Sequence, residues 1–160
     1  MDISKPYFTQ HFVNVISTMI TVISATNRVE SNTRNVSRVC AQMIEKQGFE
    51  SSVYPLESLP HDFGLPKEYG TIPESFKHDF STYIESVDRF IFVLPEYNGS
   101  FPGIAKVFLD TLPPSIWKGK KAALVGVATG RAGNLRGLDH FAAVLNYLKV
   151  EVLSNKIPLS

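Results

Sequence analysis

The sequence lacks nearly everything that would tie it to disulfide, metal or membrane chemistry. Its single cysteine, Cys40, cannot close an internal disulfide, which fits a reducing, cytoplasmic setting. Its four histidines, His11, His61, His78 and His140, have no metal-ligand spacing, so no metal site is expected. Excess charge is missing as well. The 16 Lys and Arg against 15 Asp and Glu leave a net charge of +1 and no basic stripe, which argues against nucleic acid as a partner. The same balance argues against an electron carrier steered to its partners by a charged face. The one long uncharged run, Phe12 to Ala25, is broken by Asn14, Ser17, Thr18 and Thr21 and is too short and polar to span a bilayer. Only Lys5 could serve as a basic n-region, so a signal peptide is not the preferred reading. No internal repeat or low-complexity segment is present. What is there, 160 residues with 44% hydrophobic content and mean hydropathy near zero, suits one soluble globular domain with a real core.

The stretch Ile91 to Asp110 organises that domain. Ile91 to Leu94 is continuously apolar, as in a strand covered on both faces of a parallel sheet. Pro95 ends the strand, Pro102 suits a first helical turn, and Ile104, Val107 and Phe108 follow at helical spacing. The polar loop between them stands at a strand's carboxyl end, where open α/β sheets bind ligands. Met19 precedes a first strand, Ile20 to Ile23, and residues 1–18 read as an N-terminal extension, from an upstream start codon or as an arm on a neighbouring subunit. After that strand, Ser24 to Thr33 is a loop of hydroxyls and one arginine opening onto a helix N-terminus, a good place for a phosphate. A Ser-capped helix with solvated polar residues is the plainer alternative. The helix places Val36, Val39, Cys40, Met43 and Ile44 on one face and stops at Gly48, with Cys40 a core residue rather than a redox centre.

Phe49 to Leu59 gives a second strand with Val53, Tyr54 and Leu56 in the core. Pro60 to Pro73 reads as a long surface loop able to fold over a substrate. Pro73 to Val87 reads as a helix that buries Phe76, Phe80, Tyr83, Ile84 and Val87. Lys118 to Lys121 reads as a solvated turn before a fourth strand, Ala122 to Ala128. The loop Thr129 to Asn134 carries Gly130 and Gly133, which permit close backbone approach, and Arg131, which could meet a ligand or stay in solvent. The helix Asn134 to Tyr147 is apolar beyond one stripe, through Phe141, Val144, Tyr147 and Leu148, which implies burial against a second subunit. Val150 to Leu153 is a fifth strand.

Pro95-Glu96-Tyr97-Asn98-Gly99-Ser100-Phe101-Pro102-Gly103, with Lys106 and Asp110 following, closely resembles the signature of the NADPH-dependent FMN reductase family. The first loop also resembles that family's phosphate loop, with Arg28 and Ser31 in register, although Ala25 replaces a glycine and Glu30 brings a carboxylate beside the anion site. The resemblance covers Met19 to about Pro158. It implies a flavodoxin-like α/β fold over residues 19–160, with a doubly wound five-stranded parallel sheet in the order 2-1-3-4-5 and FMN at the switch point between the first and third strands. Thr26, Arg28, Ser31, Asn32 and Thr33 would hold the phosphate. Pro95, Glu96, Tyr97, Asn98, Gly99 and Ser100 would line the flavin ring, and the loop with Thr129, Gly130 and Gly133 would pass close to it. The implied chemistry is ping-pong hydride transfer from NADPH or NADH through FMN to a quinone, azo, flavin or metal-oxyanion acceptor. No side chain is nominated as a catalytic acid or base. A homodimer or homotetramer is expected, with no nucleic acid, membrane or metal. A non-enzymatic FMN carrier and a flavin-less interaction module are the alternatives. The family has one more helix after the fifth strand. Its absence leaves a sheet face to be covered by a partner, or points to a shortened chain or a disordered tail.

Overall fold

The computed structural model describes residues 19–65 and 70–160. The expected extension, residues 1–18, lies outside them, as do four residues of the long loop. β-Branched and aromatic runs form β1 (Ile20–Ser24), β2 (Ser51–Pro55), β3 (Arg89–Pro95) and β4 (Lys121–Val127). Two short strands, β5 (Glu151–Val152) and β6 (Ile157–Leu159), follow. All pairings are parallel, in the order β2-β1-β3-β4-β5, with β6 also on β4. The expected five-position order is therefore observed. The fifth position differs from the single strand Val150 to Leu153. β5 pairs with Lys121 and Ala122, the chain leaves the sheet, and β6 returns to pair with Val125 to Val127. Pro158 is tolerated in β6 because this is an edge.

The central strand shows why the sheet is covered on both sides. Phe90, Phe92 and Leu94 join the larger core, which holds most of the aromatic rings, while Val93 joins a smaller aliphatic core with Val22, Val125 and Ala41. The larger core receives α2 (Lys77–Phe80), α3 (Gly103–Thr111) and α4 (Leu135–Tyr147). At its centre Trp117 is fully buried, with its ring centroid 5.6 Å from that of Phe90 and 5.9 Å from that of Phe108. Each such aromatic pair contributes about 0.5–1.5 kcal/mol beyond area burial.

α1 (Asn32–Lys46) lies on the smaller core and corrects the expected helix face. Val39 and Met43 are exposed, and the buried line is Thr33, Ser37 and Ala41, flanked by half-buried Val36, Cys40 and Ile44. Small side chains let the helix lie close to the valines below. Ser37 Oγ donates to the Thr33 carbonyl at 2.8 Å, so the buried hydroxyl is satisfied inside the helix.

The expected helix Pro73 to Val87 is a composite. A 3₁₀ turn, Glu74–Phe76, leads into α2, and a π-helical turn, Ser81–Glu85, follows. Its buried stripe is Phe76, Phe80, Ile84 and Val87, with Tyr83 half-buried. Lys120, expected in solvent, is buried at the far end of this element. Its ammonium donates to the carbonyls of Ile84 at 2.9 Å, Glu85 at 3.3 Å and Val87, closing the last turn. Burial pushes its pKa down, against the opposing pull of Asp88 and Glu85.

The long loop, in its described part, is fastened to the core instead of arching over the site. Phe63 is buried with its ring 4.8 Å from Phe76 and 6.2 Å from Phe108. α4 corrects another expectation. Phe141 belongs to its own chain's core, 5.0 Å from the Phe92 ring and 5.1 Å from the Phe101 ring. The large apolar side chains that α4 leaves exposed are Leu135 and Tyr147, the latter 82% exposed.

Candidate flavin site at the switch point

β1 lies between β2 and β3, so its carboxyl end and that of β3 open a crevice where the chain direction across the sheet reverses. A cavity of about 650 Å³ fills that crevice. Three loops wall it. From the first come Arg28, Val29, Glu30, Ser31, Asn32 and Thr33; from the second Pro95, Glu96, Tyr97 and Asn98; from the third Thr129, with Val127 and Ala128 below it.

The first loop is shaped by side chains. Ser31 is the N-cap of α1, accepting a hydrogen bond from the Arg34 N–H at 3.2 Å. That leaves the Ser31 O–H free to donate into the cavity, next to the unpaired N–H groups of the first turn. Arg34 itself is paired with Glu57. Thr26, only 1% exposed, does not line the cavity. Its Oγ1 meets the Tyr97 hydroxyl at 2.6 Å and accepts from the Arg28 N–H at 3.2 Å, so it pins the first loop to the second. The Arg28 guanidinium lies over the Tyr97 ring, 4.3 Å from its centre. Glu30 has a left-handed φ of 51°.

The second loop is shaped by its backbone. Tyr97 N–H donates to the Ser100 carbonyl at 2.9 Å and Ser100 N–H to the Tyr97 carbonyl at 3.1 Å. Asn98 and Gly99 between them have φ of 52° and 76°. Two consecutive left-handed residues, Asn then Gly, make the tight hairpin turn that this dipeptide favours. Asn98 faces the cavity; Gly99 and Ser100 turn toward α4. There Ser100 Oγ lies 3.0 Å from His140 Nδ1, and Arg136 Nη1 lies 3.3 Å from where a Gly99 Cβ would stand. Asn134, fully buried in the left-handed region with φ 66°, donates its side-chain N–H to the Leu94 carbonyl at 2.9 Å, just before Pro95. α4 thus grips the second loop near both ends.

The third loop is split in its duties. Gly130 is exposed and open, whereas Gly133 (φ 52°) abuts β6: an added Cβ would fall 2.6 Å from Pro158 Cβ and 2.7 Å from the Leu159 nitrogen. The close approach Gly133 permits is to its own chain. Of the residues named from the sequence, Arg28, Ser31, Asn32, Thr33, Pro95 to Asn98 and Thr129 line the cavity, whereas Thr26, Gly99, Ser100, Gly130 and Gly133 do not. Val29, Val127 and Ala128 line it without having been named for the site. Asn134, Arg136 and His140, given no role from the sequence, stand behind the second loop and outside the cavity. Arg136 and His140 had a legible signal, two polar residues four apart and so on one face of the helix. Asn134 had none beyond its place at the helix start.

The donors present suit a flavin mononucleotide. A free helix N-terminus with hydroxyls and Arg28 can take a phosphate, and a flat-turned hairpin with backbone groups at its tip can take a ring edge. Among the described residues, no three metal-ligating side chains cluster and no helix is long and apolar enough to cross a membrane.

A doubly wound parallel sheet with an anion-ready helix terminus facing a backbone-built hairpin defines a nucleotide-binding α/β domain. The chain belongs to the NADPH-dependent FMN reductase family, whose model matches residues 18–159. It is 31% identical to a 2-hydroxy-1,4-benzoquinone reductase of a Burkholderia species over 62% of this chain and 52% of that protein. It is 30% identical to a quinone reductase of Pseudomonas putida over 76% of this chain and 65% of that protein. The chain thus spans roughly two fifths to two thirds of the length of the curated relatives it matches. Among solved structures, a flavoenzyme NAD(P)H:(acceptor) oxidoreductase from Paracoccus denitrificans superposes with a TM-score of 0.69 at 24% identity, over 88% of this chain and 78% of that one. That likeness speaks to the fold.

Proposed function

We propose that this chain binds FMN in the switch-point cavity and is an NAD(P)H-dependent oxidoreductase acting on quinone-type small molecules. The observation that carries the reading is the meeting, across one cavity, of an α1 N-terminus with a free Ser31 hydroxyl and the Tyr97–Ser100 hairpin. Arg28, Ser31, Asn32 and Thr33 hold the phosphate, and the Glu30 carboxylate turns away from it. Pro95 to Asn98 and Thr129 border the ring; Thr26, Gly99, Ser100 and Gly133 hold those borders in place, and Gly130 flanks them. Bound FMN supplies hydride acceptance from NAD(P)H and onward delivery of two electrons to the acceptor, in separate half-reactions. The protein's own part is to orient the ring and to leave one face of it open. Quinone, azo, flavin and metal-oxyanion compounds are the acceptor classes in view.

FMN is retained in preference to FAD because one phosphate fills a closed helix terminus. Purified protein mixed with either cofactor and desalted should keep FMN, and the loaded protein should consume NAD(P)H over many turnovers when a quinone is supplied. Retention of FAD, or of neither, contradicts the flavin assignment; retention of FMN without turnover makes the protein a carrier. Residues 19–160 form the flavin-binding unit, so a chain begun at Met19 should keep full FMN affinity. The protein works in the cytoplasm as a homo-oligomer, with Leu135 and Tyr147 of α4 in the contact. Light scattering at micromolar concentration should give a dimer or tetramer, and a monomer would refute the contact.

A further inference from the structure

We propose that Arg136, with His140 beside it, is the docking point for a phosphate group of the dinucleotide electron donor. The inference rests on the flavin reductase reading above and names a second anion site that the reading leaves unassigned. Arg136 and His140 are four residues apart and so share one face of α4. That face meets the outer side of the hairpin whose inner side walls the cavity. His140 Nδ1 is 3.0 Å from Ser100 Oγ, and Arg136 Nη1 lies across bare Gly99. A guanidinium is therefore carried by a rigid helix one hairpin's width from where the ring would lie.

Charge around this lip is uncompensated. Arg131 and Arg136 are both exposed, and among the described residues neither takes part in an ion pair. The nearby carboxylate of α4, Asp139, is engaged by Lys156. On the first loop, across the cavity from the hairpin, stands Glu30, which would turn a second anion away from that loop. The guanidinium fork matches phosphate oxygens, a reason to find Arg there. The flavin's own phosphate is already provided for at α1, on the opposite wall. A quinone is uncharged. The dinucleotide carries phosphate on every molecule, and on the reading above its nicotinamide must reach the flavin ring.

The test uses full-length protein loaded with FMN. Arg136→Ala should raise the KM for NADPH and NADH about ten- to a hundredfold, the effect of losing one hydrogen bond to a charged group, with kcat within about twofold. Arg136→Lys should recover part of the loss. N-Benzyl-dihydronicotinamide, a hydride donor without phosphate, should react equally with both proteins, and FMN affinity should be unchanged. Calorimetric binding of NADP⁺ should weaken by the same factor in the variant. Equal losses with the phosphate-free donor would make Arg136 a hairpin support and overturn the proposal. So would an effect confined to the KM of the quinone, or no change. If the protein retains no FMN, the reductase reading fails on that result, and NADP⁺ binding to the flavin-free pair still decides whether Arg136 holds phosphate.

Discussion

The two loops that face each other across the cavity are held in shape by opposite means. The loop after β1 relies on side chains: the Ser31 cap, the Thr26–Tyr97 hydroxyl pair and Arg28 on the Tyr97 ring. The loop after β3 relies on main chain: two reciprocal hydrogen bonds and two left-handed residues, braced from outside by α4. A side-chain-built wall can change its charge while the fold stays put. A backbone-built wall has little charge to change but cannot be altered without moving. The first is suited to recognising what a ligand carries, the second to recognising its shape.

Ser31→Asp should break this symmetry most strongly. Aspartate caps helices as well as serine does, so thermal stability should be kept. Toward a bound phosphate, loss of the donor removes about 1.5–3 kcal/mol. Charge repulsion at ~4 Å adds several kcal/mol more at an effective dielectric near ~20. FMN affinity should fall at least about a thousandfold, roughly 4 kcal/mol. Riboflavin, which lacks the phosphate, should bind as before. Equal weakening of both flavins, read by fluorescence titration, would remove the phosphate from this loop.

Gly99→Ala tests the other wall. Its φ of 76° is strained for alanine by about 1–2 kcal/mol, while the nearest obstacle, Arg136 Nη1, is a flexible tip that can yield. FMN and riboflavin should therefore weaken together, by about five- to thirtyfold if the hairpin shifts to relieve the strain. Selective loss of FMN would mean that the phosphate, not the ring, touches this loop.

The smallest effect expected lies outside both walls and serves as their control. Tyr54 donates its hydroxyl to Asp79 at 3.1 Å, and burial, with the Asp79 charge second, raises its pKa well above the ordinary value. The folded protein keeps this proton where the unfolded chain gives it up, near pH ~10. The stabilisation is thus fully present below that pH and is lost as pH climbs from there toward the raised value. Tyr54→Phe should lower stability by about 1 kcal/mol at neutral pH and flatten the alkaline fall of the urea midpoint. Flavin affinity should not move.

The main strands and the polar loops at their ends were legible because they rest on short-range patterns, apolar runs ended by Pro95 and polar loops opening onto helices; the strand order came with the family resemblance. What escaped reading depends on partners distant in sequence. Ser37 looks like a surface residue until α1 is laid on valines of three strands. Lys120 looks solvated until the carbonyl ends of an element 33 to 36 residues away close around it. Phe141 looks surplus to its helix until Phe92 and Phe101 are placed beneath it. His140 and Ser100 are 40 residues apart, and no local spacing announces their hydrogen bond.

The contact between Gly133 and β6 has a kinetic consequence. β6 is three residues long, sits at an edge and is held to β4 by one short ladder, with Ala128 N–H donating to the Leu159 carbonyl at 3.0 Å. Segments of that kind open at a fraction of the free energy needed to unfold the whole domain. Each time β6 lifts away, the turn Gly130 to Asn134 loses the surface it leans on, and with it goes the support beneath Thr129. The third wall of the cavity should therefore open along with β6, more readily than the core strands β1 and β3 that carry the other two.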